Sequence, residues 1–212
     1  MKKINLILIA VFFTFSIAFQ SEGDKLARPV KYKGTLVYVM SEPVDDYEVI
    51  ENLNSAGAQF LTALVSESSA DALNIEELIG KMINRAEKLK KKGKMESYDA
   101  IITKDGNEGT LIKFKERKNE YLARPEKEKG VMAYIMSEPV DDYEVVDNLT
   151  TAGSQFLTAL VSESSADAQT VEQLVGKMID RANKMKKKGK IESYDGIITK
   201  NGDEGTIIKF KQ

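Results

Sequence analysis

The sequence predicts an α+β protein of two repeated domains, each a small antiparallel or mixed sheet with one long amphipathic helix packed on one face. Three observations lead there. Residues 26–115 align without a gap on residues 122–211 at a constant offset of 96, and only 24 of those 90 positions differ. Each copy carries one long apolar stripe at helical spacing. Short β-branched and aromatic runs, bounded by turn residues, flank that stripe on both sides.

The elements follow in chain order. Residues 1–18 read as a signal peptide: Lys2 and Lys3 form the positive start, an apolar run follows, and Ser16 and Ala18 place small residues at the −3 and −1 positions of a cleavage site. Ile4 to Phe19, as a helix, would cover roughly 24 Å, short of a ~30 Å hydrocarbon core, so cleavage after Ala18 is expected and an uncleaved anchor is the alternative. The first repeat then spans 19–115, a charged linker spans 116–121, and the second repeat spans 122–212.

Within the first repeat, Thr35 to Met40 (TLVYVM) is a strand candidate that follows Gly34 and stops at Ser41-Glu42-Pro43. Tyr47 to Leu53 and Gln59 to Val65 are two further strand candidates, separated by Asn54-Ser55-Ala56-Gly57. The helix carries Ile75, Leu78, Ile79, Met82, Ile83, Ala86 and Leu89 on one stripe; Val171, Leu174, Val175, Met178, Ile179, Ala182 and Met185 repeat it. Asn74 before Glu77 and Thr170 before Gln173 have capping-box spacing, and Gly93 suits the end of the helix. Ala100 to Lys104 and Thr110 to Lys115 read as a hairpin around Asp105-Gly106-Asn107-Glu108-Gly109, where glycine supplies positive φ.

Composition removes whole classes of chemistry. With 42% apolar and 30% charged residues the chain is globular, and it has no Cys, no His and no Trp. It therefore has no disulfide, no thiolate nucleophile or metal site, and no imidazole base. A net charge of −2 argues against nucleic acid as the main partner.

Three charged or polar motifs remain. The segment Ser41 to Glu48 and its counterpart Ser137 to Glu144 place Asp45, Asp46 and Glu48, and Asp141, Asp142 and Glu144, close together in sequence. Paired carboxylates run acid/base chemistry when burial separates their pKa values, although Pro43 and the density of charge read as a solvated turn. Lys88 to Lys94 and Lys184 to Lys190 are lysine runs, with Lys90, Lys91, Lys92, Lys186, Lys187 and Lys188 at their centres. They suit the negative end of a helix dipole and could also meet an anionic polymer or surface. The glycine-rich hairpin loops lack the ligand spacing of an EF-hand, and Ser66, Ser68 and Ser69 have no base to activate them.

Pro43, Tyr47-Glu48-Val49-Ile50, the helix with Ala86, and Tyr98-Asp99-Ala100-Ile101-Ile102 together resemble the pattern of the YbjQ/RcsF-like small α+β domains. Tyr143-Glu144-Val145-Val146 and Tyr194-Asp195-Gly196-Ile197-Ile198 repeat the pattern. The resemblance implies that fold and an envelope sensing or binding role, and it carries over no catalytic residue. Glu51 and Asp147 stand where those domains have glycine, and the cysteines of the envelope sensors are missing.

The functional expectation is an exported, periplasmic or extracellular, non-catalytic binding or interaction module without cofactor or metal. Its partner would be a protein or a small-molecule ligand, with no membrane span after leader removal, and self-association is open. The acidic segments and the lysine runs are its candidate interaction surfaces. A small exported hydrolase built on Asp45, Asp46 and Glu48 is the enzymatic alternative. A purely structural, self-associating protein is the other.

Overall fold

The computed structural model describes residues 25–53, 75–106, 108–116, 118, 120–150 and 170–211. The leader, the run Gln59 to Val65, the linker residues 117 and 119, the cap residue Asn74 and Ser66, Ser68 and Ser69 lie outside the described residues. The first repeat contains β1 (Ala27–Pro29), β2 (Lys31–Tyr32), β3 (Thr35–Val39), β4 (Ser41–Pro43), β5 (Tyr47–Leu53), α1 (Ile75–Lys91), β6 (Ala100–Thr103) and β7 (Gly109–Phe114). The second contains β8 (Ala123–Pro125), β9 (Lys127–Glu128), β10 (Val131–Ile135), β11 (Ser137–Pro139), β12 (Tyr143–Thr150), α2 (Val171–Lys187), β13 (Gly196–Thr199) and β14 (Glu204–Phe210).

The strands of both repeats join in shared sheets. One sheet has ten strands in the order β12-β14-β13-β10-β3-β6-β7-β5, with β2 beside β3 and β9 beside β10. Its pairs are mixed: β3–β6 and β10–β13 run parallel, and the others antiparallel. A second sheet has four short strands in the order β11-β1-β8-β4, so β1 of the first repeat lies between two strands of the second. This overturns the expected class of two α+β domains, each with its own small sheet and helix. Among the described residues strand outweighs helix, there are two helices, and the sheets are common to both repeats. The strand from Thr35 does end before Ser41-Glu42-Pro43, but those residues then form a strand of their own, β4, paired with Ala123 to Pro125.

Local sequence still explains the helices, the α2 cap and the turns. Residues at the helical stripe positions Ile75, Leu78, Ile79, Met82, Ile83 and Ala86, and their six counterparts on α2, are buried. At the start of α2 the Gln173 amide donates to Thr170 Oγ1 at 3.3 Å, and the Thr170 amide donates to Gln173 Oε1 at 3.1 Å. That reciprocal pair satisfies two amides that the first turn leaves open. Gly93 and Gly189, at φ +66° and +68°, end the helices. Lys33-Gly34 and Lys129-Gly130 take positive φ at both positions, the geometry of a two-residue hairpin turn, and join β2 to β3 and β9 to β10.

The ten-stranded sheet is covered on both faces. Val37 and Val39 of β3 face the two helices together with Ile101, Leu111 and their counterparts. Leu36 and Tyr38 face the other way, onto Ala27 of β1 and Ala123 of β8. A strand buried on both sides reads as a continuous apolar run, which is why TLVYV shows no alternation. After β3 the chain leaves this layer at Met40, a buried residue at φ +46°, and Met136 repeats the bend at φ +48°. The left-handed backbone costs about 1–2 kcal/mol for a side chain of this kind. It is offset where the Met40 amide donates to the Thr103 carbonyl at 2.9 Å and the Met40 carbonyl accepts from Glu126 at 2.8 Å.

Two glycine positions test this packing. Gly106 sits at φ +80° with Leu78 and Val171 side chains 3.0 Å from where a Cβ would stand, whereas Gly34 sits at φ +83° facing open space. Gly34→Ala is expected to lose about 1 kcal/mol from backbone strain alone, and Gly106→Ala about 2–3 kcal/mol from strain plus overpacking. Urea midpoints of the two variants measure the difference. Equal losses would show that the contact between the helices at Gly106 is loose.

Candidate functional site

The repeats are related by a local twofold. Val39 pairs with Ile135 and Ala27 with Ala123, so each residue meets its own counterpart 96 positions away. The same symmetry docks each helix on the other repeat. The Ile75 amide at the start of α1 donates to the Asn201 carbonyl, and the Val171 amide at the start of α2 donates to the Asp105 carbonyl, both at 3.0 Å. The hairpin loops read from the sequence as turns are thus also receptors for helix N-termini. Burial, with Glu204 and Glu77 close by, raises the Asp203 carboxyl in one of these loops above the usual range.

The acidic segments do not form one site. Asp45 turns inward, its side chain only 11% exposed, and forms an ion pair with Lys118 of the linker. Asp46 turns outward, 85% exposed, 3.6 Å from Lys115. Glu48 stands exposed on β5, in register with Lys113, and Glu42 accepts a hydrogen bond from Tyr47. In the second copy Asp141 pairs with Lys25 at 2.9 Å, Asp142 is exposed, and Glu144 lies in register with Lys209. Three carboxylates that part in this way do not converge on one substrate. Among the described residues no group of acidic side chains is placed to hold a metal ion.

Each lysine run sits at the C-terminal end of its own helix. Lys90, Lys91 and Lys92, and Lys186, Lys187 and Lys188, are all exposed. Two open hollows of about 540 and 410 Å³ lie elsewhere, the first between Lys129, Glu172, Lys177 and Asp180, the second between Lys104, Asp105, Glu108 and Glu172. Ion pairs already cross them. Lys129 meets Asp180 at 2.7 Å, and Lys104 lies 3.3 Å from Glu126 and 3.4 Å from Glu172.

Sequence reasoning missed a group of buried polar side chains between the two sheets. The hydroxyls of Tyr38, Ser41, Tyr134 and Ser137 are buried with no hydrogen-bond partner among the described residues. Phe114 packs edge-on to Tyr38 at 6.3 Å and stacks on Tyr121 at 4.3 Å. In the second copy Phe210 packs on Tyr134 at 6.2 Å, and the Lys25 ammonium stands 4.5 Å over the Phe210 ring. Lys25 and Tyr121 are counterparts, so one slot against a phenylalanine is filled by an aromatic in one half and a cation in the other. The only sequence signal was tyrosine in an apolar run, which reads equally as core.

No family model, curated protein or solved structure matches the chain. Among the described residues no helix is long and apolar enough to cross a membrane. The functional reading therefore rests on the geometry above.

The buried tyrosines give a pH test. Burial, reinforced by Asp45 and Tyr121 at Tyr38 and by Asp141 at Tyr134, pushes both phenols well above the usual value near 10. The unfolded chain then loses these protons first, so their contribution to stability is complete below about pH 10 and falls as pH rises above it. Tyr38→Phe with Tyr134→Phe is expected to flatten that alkaline loss in urea midpoints measured from pH 8 to 11.5, and to be neutral or slightly stabilising at pH 7. An unchanged alkaline slope would place the loss on Tyr47, Tyr98 and Tyr194, whose phenols burial also raises.

Proposed function

We propose that the chain is an exported, non-catalytic interaction module of the cell envelope or extracellular space, using its two repeats as duplicate contact surfaces on one body. The observation that carries this reading is the pairing of residues with their own counterparts, Val39 with Ile135 and Ala27 with Ala123. Such a twofold repeats the helix ends and sheet edges at a set separation. A partner that engages both copies gains the effective-concentration advantage of a rigid bivalent binder, without any new contact. The divergence of Asp45, Asp46 and Glu48 also favours binding over turnover. Export rests on the leader pattern of residues 1–18.

Cell fractionation of the full chain tests the reading. The protein is expected outside the cytoplasm, sedimenting with the envelope and resisting a low-salt wash. Asp46→Asn, Glu48→Gln, Asp142→Asn and Glu144→Gln combined should leave that retention unchanged. Protein held in the cytoplasm would overturn it.

A further inference from the structure

The strongest unexplained feature is the excess of positive charge at the ends of α1 and α2. Residues 85–94 hold six cations, Arg85, Lys88, Lys90, Lys91, Lys92 and Lys94, against the single acid Glu87; residues 181–190 hold six and no acid. The chain as a whole carries −2, so this charge is segregated. Glu87 accepts a hydrogen bond from Tyr98, and Asn183, which carries no charge, takes the same role towards Tyr194. Among the described residues none of the six cations at either end forms an ion pair.

The helix dipole does not account for so much charge. Its effect is confined to the last turn, where one or two cations suffice. Arg85, Lys88, Lys91 and Lys92 instead stand three and four residues apart on one another's flank, as do Arg181, Lys184, Lys187 and Lys188, and like charges at that spacing destabilise a helix. Folding alone would favour acids among them. The surplus is the mark of an external anion.

The arrangement of the two ends says what kind. Both helices lie on one face of the ten-stranded sheet, in a single core with it. Their N-termini meet near the twofold, where Leu78 of α1 and Val171 of α2 flank the same glycine, Gly106. The C-termini point apart, so the two basic ends lie at opposite limits of one layer, up to roughly 50 Å apart for two helices of about 25 Å each. No aromatic side chain lies on either helix to stack on bases. Two clusters on one broad side, with polar helix surface between them, match an extended flat layer of charge better than a single strand.

We propose that this helix layer docks on an anionic lipid bilayer, its two lysine clusters meeting the phosphate headgroups as a bivalent electrostatic contact. This rests on the interaction-module reading and names its partner. Each lysine near such a surface strengthens binding several-fold, and the attraction decays within a Debye length.

The test is co-sedimentation of the full-length protein with phosphatidylcholine vesicles, with and without about one quarter phosphatidylglycerol. Partition on neutral vesicles reports any contribution of the apolar leader; the difference between the two vesicle types reports the lysines. The anionic preference is expected to vanish near 0.5 M salt, roughly three Debye halvings below low-salt buffer. Replacing Lys90, Lys91 and Lys92 by Gln is expected to weaken it on the order of 50-fold, and adding the same changes at Lys186, Lys187 and Lys188 to abolish it, with neutral partition unchanged. Salt-insensitive binding, equal partition on both vesicles, or tighter binding to soluble heparin than to anionic vesicles would overturn the proposal. Wild-type salt dependence decides the matter even if a variant folds poorly. Envelope retention in cells that persists when vesicle binding fails would leave the interaction module standing with a different partner.

Discussion

The four short strands β1, β4, β8 and β11 pair only with strands of the other repeat among the described residues, and the architecture follows from that constraint. Ala27 to Pro29 pairs with Ser137 to Pro139, and Ala123 to Pro125 with Ser41 to Pro43. Three residues cannot form a sheet, and buried amides and carbonyls left unpaired are costly. Exchange across the twofold solves the problem for both halves at once. It also brings Arg28 opposite Glu138 and Arg124 opposite Glu42, so charge as well as hydrogen bonding selects the register. The left-handed bends at Met40 and Met136 exist to carry the chain from one layer to the other.

The seam between the repeats in the large sheet is narrow. A single residue pair, Val39 with Ile135, joins β3 to β10, because β2 and β9 occupy the rest of those strand edges. The large sheet therefore owes its continuity to the layers on either side of it: the exchanged small sheet beneath, and the helix starts seated on the opposite hairpins above. Where connectivity breaks the symmetry, the halves have diverged. Tyr121 stacks on Phe114 while its counterpart Lys25 covers Phe210, and the linker brings Lys118 to Asp45 and Glu120 to Arg28.

Charge is distributed in two regimes. The acids of the Asp45 segment are held singly, by Lys118, Lys115 or a cross-strand lysine, at the margins of the sheet. The edge strands β5 and β12 carry a register shift after Val49 and Val145 and charged outer residues, features that discourage strand-to-strand association. The lysines at the helix ends have no such partners among the described residues. The sheet edges are thus blunted while the helix ends are left strongly charged.

The sequence by itself determined what local pattern can determine. The stripe from Ile75 to Ala86 set the helices, TLVYV and Tyr47 to Leu53 set their strands, Thr170 and Gln173 set the α2 cap, and glycine placed the turns, because each depends on residues a few positions apart. Only the tertiary structure decided that two repeats share their sheets. The strand pairs that join them lie 80 or more residues apart and rest on backbone bonding that any sequence of suitable shape can make. For the same reason Ser41-Glu42-Pro43 read as a stop: proline lacks a donor, and nothing nearby in sequence reveals that Ala123 to Pro125 supplies the matching strand. The fate of the acids was hidden too. Asp45 and Asp46 are neighbours in sequence, yet one is turned inward to Lys118 and the other out to solvent, because direction along an irregular segment is settled by what packs against it.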